Sequence, residues 1–264
     1  MGFFRRTEKY TVSGELMVRL TQLPAEGYAG VNLTIPLKEV AFKGLLALSD
    51  AAGGVERGKL ADSARILGAV NTVEFSGDGM VGHNTDGYGF LKALEEAFGK
   101  SVQGDRVFVL GCGGAGRAVA LMAALNGAKS LTLADTDALR TDRLIAEIQA
   151  RFPSVQVEVW DDRKNRFKQC LEANLIIQAT PFGMKKGDHS LLPPEAFHKG
   201  QRVFDLIYMY PETALLSTAK AAGARIANGL GMLLHQGAKA FSFWTGIEPD
   251  VEAMRNALEK AVYS

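Results

Sequence analysis

The sequence predicts an α/β protein of two domains, and three observations lead there. Its 264 residues exceed one typical domain and suit two. From Arg106 to Asn228, apolar runs of strand length alternate with helical patterns, the mark of parallel β-α units. Within that stretch, Gly111-Cys-Gly-Gly-Ala-Gly116 fits G-x-G-x-x-G between a strand and a helix. The strand is Arg106–Leu110, rich in β-formers, and the helix is the alanine- and leucine-rich Arg117–Leu125, with Asn126-Gly127 as its C-cap. A second strand, Ser130–Ala134, ends on Asp135, about 20 residues past the last glycine, where a dinucleotide-binding unit expects an acid. Gly111, Gly113 and Gly116 have separate jobs: a tight turn, close approach of backbone to pyrophosphate, and close helix–sheet packing. Gly114 and Ala115 lie in the loop that leads into the helix, whose N–H groups and positive dipole end suit phosphate. The unit predicts dinucleotide binding.

The remaining elements follow in order. Phe3–Arg6 reads as a short strand and Ser13–Leu20 as a helix start with Ser13 as N-cap. Gly30–Pro36 is a strand stopped by its proline, and Leu37–Gly44 the following helix, which places Lys38 at a strand-to-helix corner. Ala51–Lys59 is a loop. Ala69–Phe75 and Met80–His83 form a hairpin around Ser76–Gly79, and Asn84–Gly87 turns into a helix, Tyr88–Phe98. Beyond the glycine-rich unit come a helix at Thr141–Ala150, an extended run at Val155–Trp160 and a buried strand at Leu175–Thr180 ending in the turn Pro181–Gly183. A strand at Arg202–Ile207, a helix at Glu212–Ala222 and a short strand at Arg225–Asn228 complete the alternation. From Gly231 the chain is helical, with Met232–Trp244 apolar at helical spacing and Val251–Val262 amphipathic.

Composition narrows the function. With 47% hydrophobic and 22% charged residues the chain reads as an ordinary soluble globular protein. Its net charge of +1 and lack of a basic block argue against a nucleic-acid partner; Asp161–Arg166 reads as a solvated segment. Two cysteines, Cys112 and Cys170, resemble neither a disulfide framework nor a zinc site, and a reducing cytoplasm is the expected compartment. No run has the roughly 18 apolar residues of a membrane helix. The start lacks a signal peptide's apolar core, and Arg6 stands where myristoylation needs Ser or Thr. His83, His189, His198 and His235 show no metal-ligand spacing, so no metal is expected, and no Gly-x-Ser-x-Gly nucleophile elbow occurs.

Several segments together carry a family resemblance. They are Gly30-Val-Asn-Leu-Thr-Ile-Pro-Leu-Lys38, Gly68-Ala-Val-Asn-Thr72, Asn84-Thr-Asp-Gly87, Gly111–Gly116, Gln178-Ala-Thr-Pro181, Phe204-Asp-Leu-Ile-Tyr208 and Gly229-Leu-Gly-Met-Leu-Leu-His-Gln236. In this order they resemble the shikimate dehydrogenase family, which includes quinate/shikimate dehydrogenases. The resemblance implies an α/β substrate domain, 1–86 completed by helices in 231–264, and a Rossmann NAD(P)-binding domain, 87–230. It implies reversible reduction of 3-dehydroshikimate to shikimate, with quinate as a further candidate substrate, by a monomer or homodimer. Lys38 and Asp86 fall on the family's catalytic pair. Reducing a ketone by hydride leaves an alkoxide that needs a proton donor within hydrogen-bond reach; an ammonium oriented by a carboxylate supplies one. Equally, Lys38 could stabilise the developing oxyanion while the proton arrives through water or Asp86. Asn32, Thr34, Asn71, Tyr208 and Gln236 carry over as substrate ligands, amides and hydroxyls suiting a polyol. Thr180, Gly229 and Met232 carry over to the nicotinamide pocket.

Two departures qualify the resemblance. Ala134-Asp135 stands where many members have Asn-Arg. A carboxylate hydrogen-bonds the ribose diol of NAD and repels the 2′-phosphate of NADP, so Asp135 points to NAD; Arg140 and Arg143 keep NADP open. The second departure is at the start. The family opens with a strand, a Ser-x-Ser-Pro loop that holds the substrate carboxylate, and a helix; no Ser-x-Ser-Pro occurs here, and the sequence opens at Met1-Gly-Phe-Phe. Three readings stand: a misassigned start, a rearranged domain, or a degraded enzyme whose carboxylate recognition is lost. A NAD-dependent quinate/shikimate dehydrogenase and a non-catalytic dinucleotide-binding paralogue are the alternatives.

Overall fold

The computed structural model describes residues 13–50, 58–77, 79–160 and 167–264. The strand expected at Phe3–Arg6, most of the Ala51–Lys59 loop and the segment Asp161–Arg166 lie outside the described residues. The chain divides into two compact units. One holds the described residues up to Thr85 together with Lys239–Pro249; the other holds Asp86–Ala238 and Asp250–Ser264.

In the first unit, α1 (Ser13–Gln22), β1 (Gly30–Asn32), α2 (Leu37–Asp50), β2 (Gly58–Leu60), α3 (Asp62–Leu67), β3 (Thr72–Ser76) and β4 (Gly79–His83) follow in order. The sheet order is β1-β3-β4-β2, with β2 parallel to β4 and the other pairs antiparallel. Leu16 and Leu20 of α1, Ala41 and Leu45 of α2, and Val70 and Val73 form its core. Gly82 lets α2 lie close to the sheet: a Cβ there would sit 2.6 Å from Leu45 Cδ1. The strand expected to reach Pro36 stops at Asn32, because Thr34–Leu37 is a turn with a cis Ile35–Pro36 bond, closed by Leu37 N–H donating to Thr34 O at 2.7 Å.

The second unit contains α4 (Asp86–Phe98), β5 (Arg106–Leu110), α5 (Gly114–Leu125), β6 (Ser130–Ala134), α6 (Ala138–Arg151), β7 (Gln156–Val159) and α7 (Lys168–Glu172). It continues through β8 (Leu175–Gln178), β9 (Arg202–Asp205), α8 (Ala214–Ala221), β10 (Arg225–Asn228), α9 (Leu230–Thr245) and α10 (Val251–Tyr263). All six strands are parallel, in the order β10-β9-β8-β5-β6-β7. That is the doubly wound Rossmann order, with its topological switch point between β5 and β8. The division between the units falls within α9. Leu230–Ala238 and all of α10 belong with the second unit, where Glu96 receives His235 and Arg255, and Asn228 Nδ2 donates to Tyr263 Oη at 2.8 Å.

The amino ends of this sheet carry a buried charge cluster. Asp105 and Arg202 are both buried and ion-paired. Arg202 Nη1 also donates to Lys100 O and Ser101 O, each at 3.1 Å, and Lys100 Nζ reaches Asp105 Oδ1 at 2.9 Å. With every partner in place the desolvation of both ions is offset; with one removed, an uncompensated buried charge remains. Asp105→Ala is expected to lower unfolding stability by about 3–5 kcal/mol. Urea melts would show a lower midpoint at unchanged slope. A loss below about 1 kcal/mol, the range of exposed pairs, would contradict it.

Candidate active site

Two candidate residues of the first unit, Asn32 and Asn71, are joined by a polar network through Thr72. Asn71 is buried, and its Oδ1 accepts Thr85 N–H at 2.8 Å while its Nδ2 donates to Thr85 Oγ1 at 3.0 Å. The buried Thr72 hydroxyl lies 2.9 Å from Asn32 Oδ1 and 3.0 Å from Asn71 Oδ1. Register explains the meeting: Asn32 pairs with Thr72 across β1 and β3, and Thr72 with His83 across β3 and β4. Thr34 is exposed in the cis-proline turn, and Lys38 is half-buried in the first turn of α2, its carbonyl accepting Val70 N–H at 2.9 Å. Asn84 Nδ2 donates to Ala69 O at 3.0 Å, so the segment leading to Asp86 is fixed from both sides. Thr72 and Thr85 were not singled out by sequence reading, although both stand inside the motifs that carry the resemblance.

In the second unit, Asp86 is the first residue of α4 and is buried. The sequence reading places Asn84–Gly87 in a turn and starts the helix at Tyr88; the structure starts it at Asp86, because tertiary contacts outweigh the low helix propensity of Gly87 and Gly89. A Cβ on Gly87 would meet Met122 Sδ at 2.7 Å, and one on Gly89 would meet the backbone of α9. Gln236 and Met232, both half-buried, lie on that stretch of α9.

The glycine-rich loop follows β5 at the switch point. Gly111 has φ 94°, where a side chain is strained, and a Cβ there would also lie 2.9 Å from Thr180 Cγ2. A Cβ on Gly116 would fall 1.8 Å from Gly111 O. By contrast, Cβ atoms on Gly113 and Gly114 would point into open space, the volume a pyrophosphate needs. Helix α5 begins at Gly114, earlier than the expected Arg117, so the N–H groups of Gly114, Ala115 and Gly116 are those of its first turn. These residues fit a dinucleotide: an open backbone cradle at a helix N-terminus, with no side chain in the way.

Asp135 braces this cradle. Its Oδ2 accepts Cys112 N–H at 2.7 Å and its Oδ1 accepts Asp137 N–H at 2.8 Å. Burial alone would raise its carboxyl, but the N–H groups of Asp137 and Cys112, with Arg140 nearby, hold it below the usual range. Burial pushes the Cys112 thiol up to about 11, so it packs as a small apolar residue. Among the described residues, no group of three or more His, Cys, Asp or Glu is placed to hold a metal.

Thr180, Tyr208 and Gly229 stand at the carboxyl ends of β8, β9 and β10. The buried Gln178 side chain accepts Thr180 N–H at 2.6 Å and donates to Phe182 O at 2.7 Å. A Cβ on Gly229 would lie 2.1 Å from Leu206 O. Tyr208 is 37% exposed, on the loop from Leu206 to Glu212. That loop is anchored by Asp205, fully buried, whose Oδ1 accepts Ile207 N–H at 3.0 Å and whose Oδ2 accepts the Thr213 hydroxyl at 2.7 Å. Thr213 in turn caps α8 by accepting Leu216 N–H. Sequence reading missed Asp205 and Gln178 as organising residues; their positions beside the motif's Thr180 and Tyr208 were the available signal.

Residues 229–259 match the family described as Shikimate 5'-dehydrogenase C-terminal domain. A shikimate dehydrogenase (NADP(+)) of Moorella thermoacetica is 39% identical over 251 residues, 94% of this chain and 80% of that protein. Shikimate 5-dehydrogenase of Listeria monocytogenes, solved with shikimate and NAD, is 30% identical with a TM-score of 0.80, covering 95% of this chain and 84% of its own. Quinate dehydrogenase of Corynebacterium glutamicum, solved with NAD, is 31% identical with a TM-score of 0.80, covering 98% and 85%.

Burial dominates at Asp205 and pushes its carboxyl up to about 6, against the Thr213 hydroxyl and Ile207 N–H that favour its ionised form. The native state therefore binds the proton more tightly than the unfolded chain does. Stability from this residue is present at about pH 4 and is lost as pH rises through about 6. Relative to Asp205→Asn, the wild type is expected to lose on the order of 2 kcal/mol of unfolding stability between pH 4 and pH 7. Denaturant melts across that window check it, and a relative gain in stability would refute it.

Proposed function

The chain belongs to the shikimate dehydrogenase family, and we propose on that premise that it catalyses the reversible, NAD(P)-dependent interconversion of 3-dehydroshikimate and shikimate. This places it in chorismate and aromatic amino acid biosynthesis. The observation that carries the reading is the network from Asn32 through Thr72 and Asn71 to Thr85, next in sequence to Asp86. Fixed amides and hydroxyls leading to a carboxylate suit a polyol whose ketone takes up a proton. The nicotinamide, when bound, supplies the hydride chemistry.

The chain's own groups handle the rest. Lys38 and Asp86 are the proton-handling pair, with Lys38 either giving the proton to the substrate oxygen or stabilising its negative charge. Asn32, Thr34, Asn71, Tyr208 and Gln236 are the substrate ligands, and Thr180, Gly229 and Met232 the residues beside the nicotinamide. Gly111 to Gly116 hold the pyrophosphate. In this reading residues 1–86 with helices in 231–264 serve the substrate and residues 87–230 the dinucleotide, in a cytoplasmic monomer or homodimer.

Asp135 favours NAD. Each of its oxygens accepts one backbone N–H, and a carboxylate offers about four lone-pair sites, so acceptors remain for a ribose diol. The same hydrogen bonds keep its charge in place, where a 2′-phosphate would be repelled. Arg140, one of the two alternative phosphate partners, is 3.2 Å from Asp137 Oδ2 and so already faces an acid. The acid also favours a second reading, a NAD-dependent quinate/shikimate dehydrogenase; the Corynebacterium glutamicum quinate dehydrogenase was solved with NAD.

The test is initial rate on shikimate and quinate, each with NAD and NADP. Turnover of shikimate is expected, fastest with NAD; turnover of quinate alone would select the second reading, and none with any pair would reject both. Asp86→Asn and Lys38→Met are expected to lower kcat by about 10²–10⁴-fold. Asp135→Ser should move the NAD-to-NADP ratio of kcat/KM toward NADP by about tenfold, roughly 1.4 kcal/mol. An unchanged ratio would remove Asp135 as the selector.

A further inference from the structure

Asp86, Gly89, Ala93 and Glu96 are spaced three, four and three residues apart, so they share one face of α4. Three of them meet α9. A Cβ on Gly89 would lie 2.6 Å from Met232 O, 3.0 Å from Gln236 N and 3.1 Å from Gln236 Cβ. One on Gly231 would lie 3.3 Å from Ala93 Cβ. Further along, Glu96 Oε2 is 3.0 Å from His235 Nε2 while its other oxygen takes Arg255 of α10. The tightest of these contacts is to backbone, which cannot rotate away as a side chain can. Met232 O and Gln236 N are also four residues apart, the spacing of a helical hydrogen bond, so Gly89 rests on the turn of α9 that sets where Gln236 begins.

We infer that Gly89 is a positioning residue: by lacking a side chain it fixes the separation of α4 from α9, and with it the placing of Gln236 relative to Asp86. The inference rests on the proposed role of Gln236 as a substrate ligand. Glu96 closes the same pair of helices through its hydrogen bond with His235, so spacing is set by close contact at one end and by a hydrogen bond at the other. Alanine at position 89 forces one helix away from the other by a fraction of an ångström or more, because 2.6 Å is shorter than any ordinary carbon–oxygen contact. A displacement of about 1 Å at a binding group can cost about 10²-fold in rate.

A double-mutant cycle on the full chain tests this, with Gly89→Ala, Gln236→Ala and the pair. Gly89→Ala is expected to raise KM for shikimate about tenfold, with the NAD dissociation constant within about threefold of wild type. In the Gln236→Ala background the same change should move KM by less than about twofold, since the group it displaces is gone. Equal effects in both backgrounds, or an unchanged KM in Gly89→Ala, would overturn the inference. If Gly89→Ala fails to melt cooperatively, Gly231→Ala replaces it in the cycle. It spreads the same helices less, and a KM rise that vanishes without Gln236 is again expected; an additive effect would again overturn it. Wild-type turnover separates the two levels. An inactive wild type that does not bind shikimate overturns both readings, whereas an active one with additive effects overturns only this inference.

Discussion

Backbone lying directly on backbone is the constraint on which the second unit depends. Gly116 stands so close to the Gly111 carbonyl that a Cβ would fall 1.8 Å from it. That contact brings the first turn of α5 down onto the end of β5, so that its N–H groups face the open side of the loop. The same device recurs at Gly229, whose Cβ would lie 2.1 Å from Leu206 O, and at Gly30 in the first unit, where the Trp244 ring occupies the place of a side chain. Trp244 Nε1 then donates to Val73 O at 3.0 Å, which satisfies the indole N–H among apolar neighbours. None of these positions tolerates a larger residue, and each sits where a functional segment begins or a helix meets a sheet.

The loops at the carboxyl ends of the parallel strands need a second kind of restraint, because they lack a ladder of their own. Side chains supply it by binding backbone. Asp135 holds the loop after β5 and the turn after β6, Gln178 the turn after β8, and Asp205 the loop after β9. Further out, Asp188 accepts Gly183 N–H at 2.7 Å and Lys185 N–H at 3.2 Å. Asp135 and Asp188 are held ionised by these N–H groups, whereas at Asp205 burial prevails and raises the carboxyl. Similar chemistry gives opposite shifts because the solvent each residue has lost differs.

How much of this the sequence displays depends on the range of the interaction involved. The glycine pattern, the strand before it and Asp135 after it are local, and the Rossmann order follows from them with the alternation of elements. Helix starts at Asp86 and Gly114 are not local. Glycine argues for a turn there, and only the packing of Met122, α9 and Gly111 O explains why the helix includes them. The short β2 and α3 are missed for want of periodicity, three and six residues being too few to show it. The polar network of the first unit is unreadable for another reason: Asn32, Asn71 and Thr85 meet only through strand register. The motifs named the residues without showing that two threonines join them.

Strand β9 shows why these requirements can be met together. At its amino end Arg202 is ion-paired with Asp105, and its guanidinium lies 5.8 Å from the Phe98 ring centroid. Arg225, at the matching end of β10, donates to Phe98 O and Ala97 O and lies 5.4 Å from the same ring, so one cation closes the carbonyl end of α4 and both lie against its last side chain. At its carboxyl end, three residues on, Asp205 anchors the loop that carries Tyr208. The fully partnered charges therefore lie at the end of the sheet remote from the glycine loop. The carboxyl ends keep a buried acid with only two hydrogen-bond partners and open glycines, features that cost stability but leave room for a ligand. A parallel sheet separates its two ends by the length of its strands, which lets the anchoring of α4 be settled at one end without filling the other.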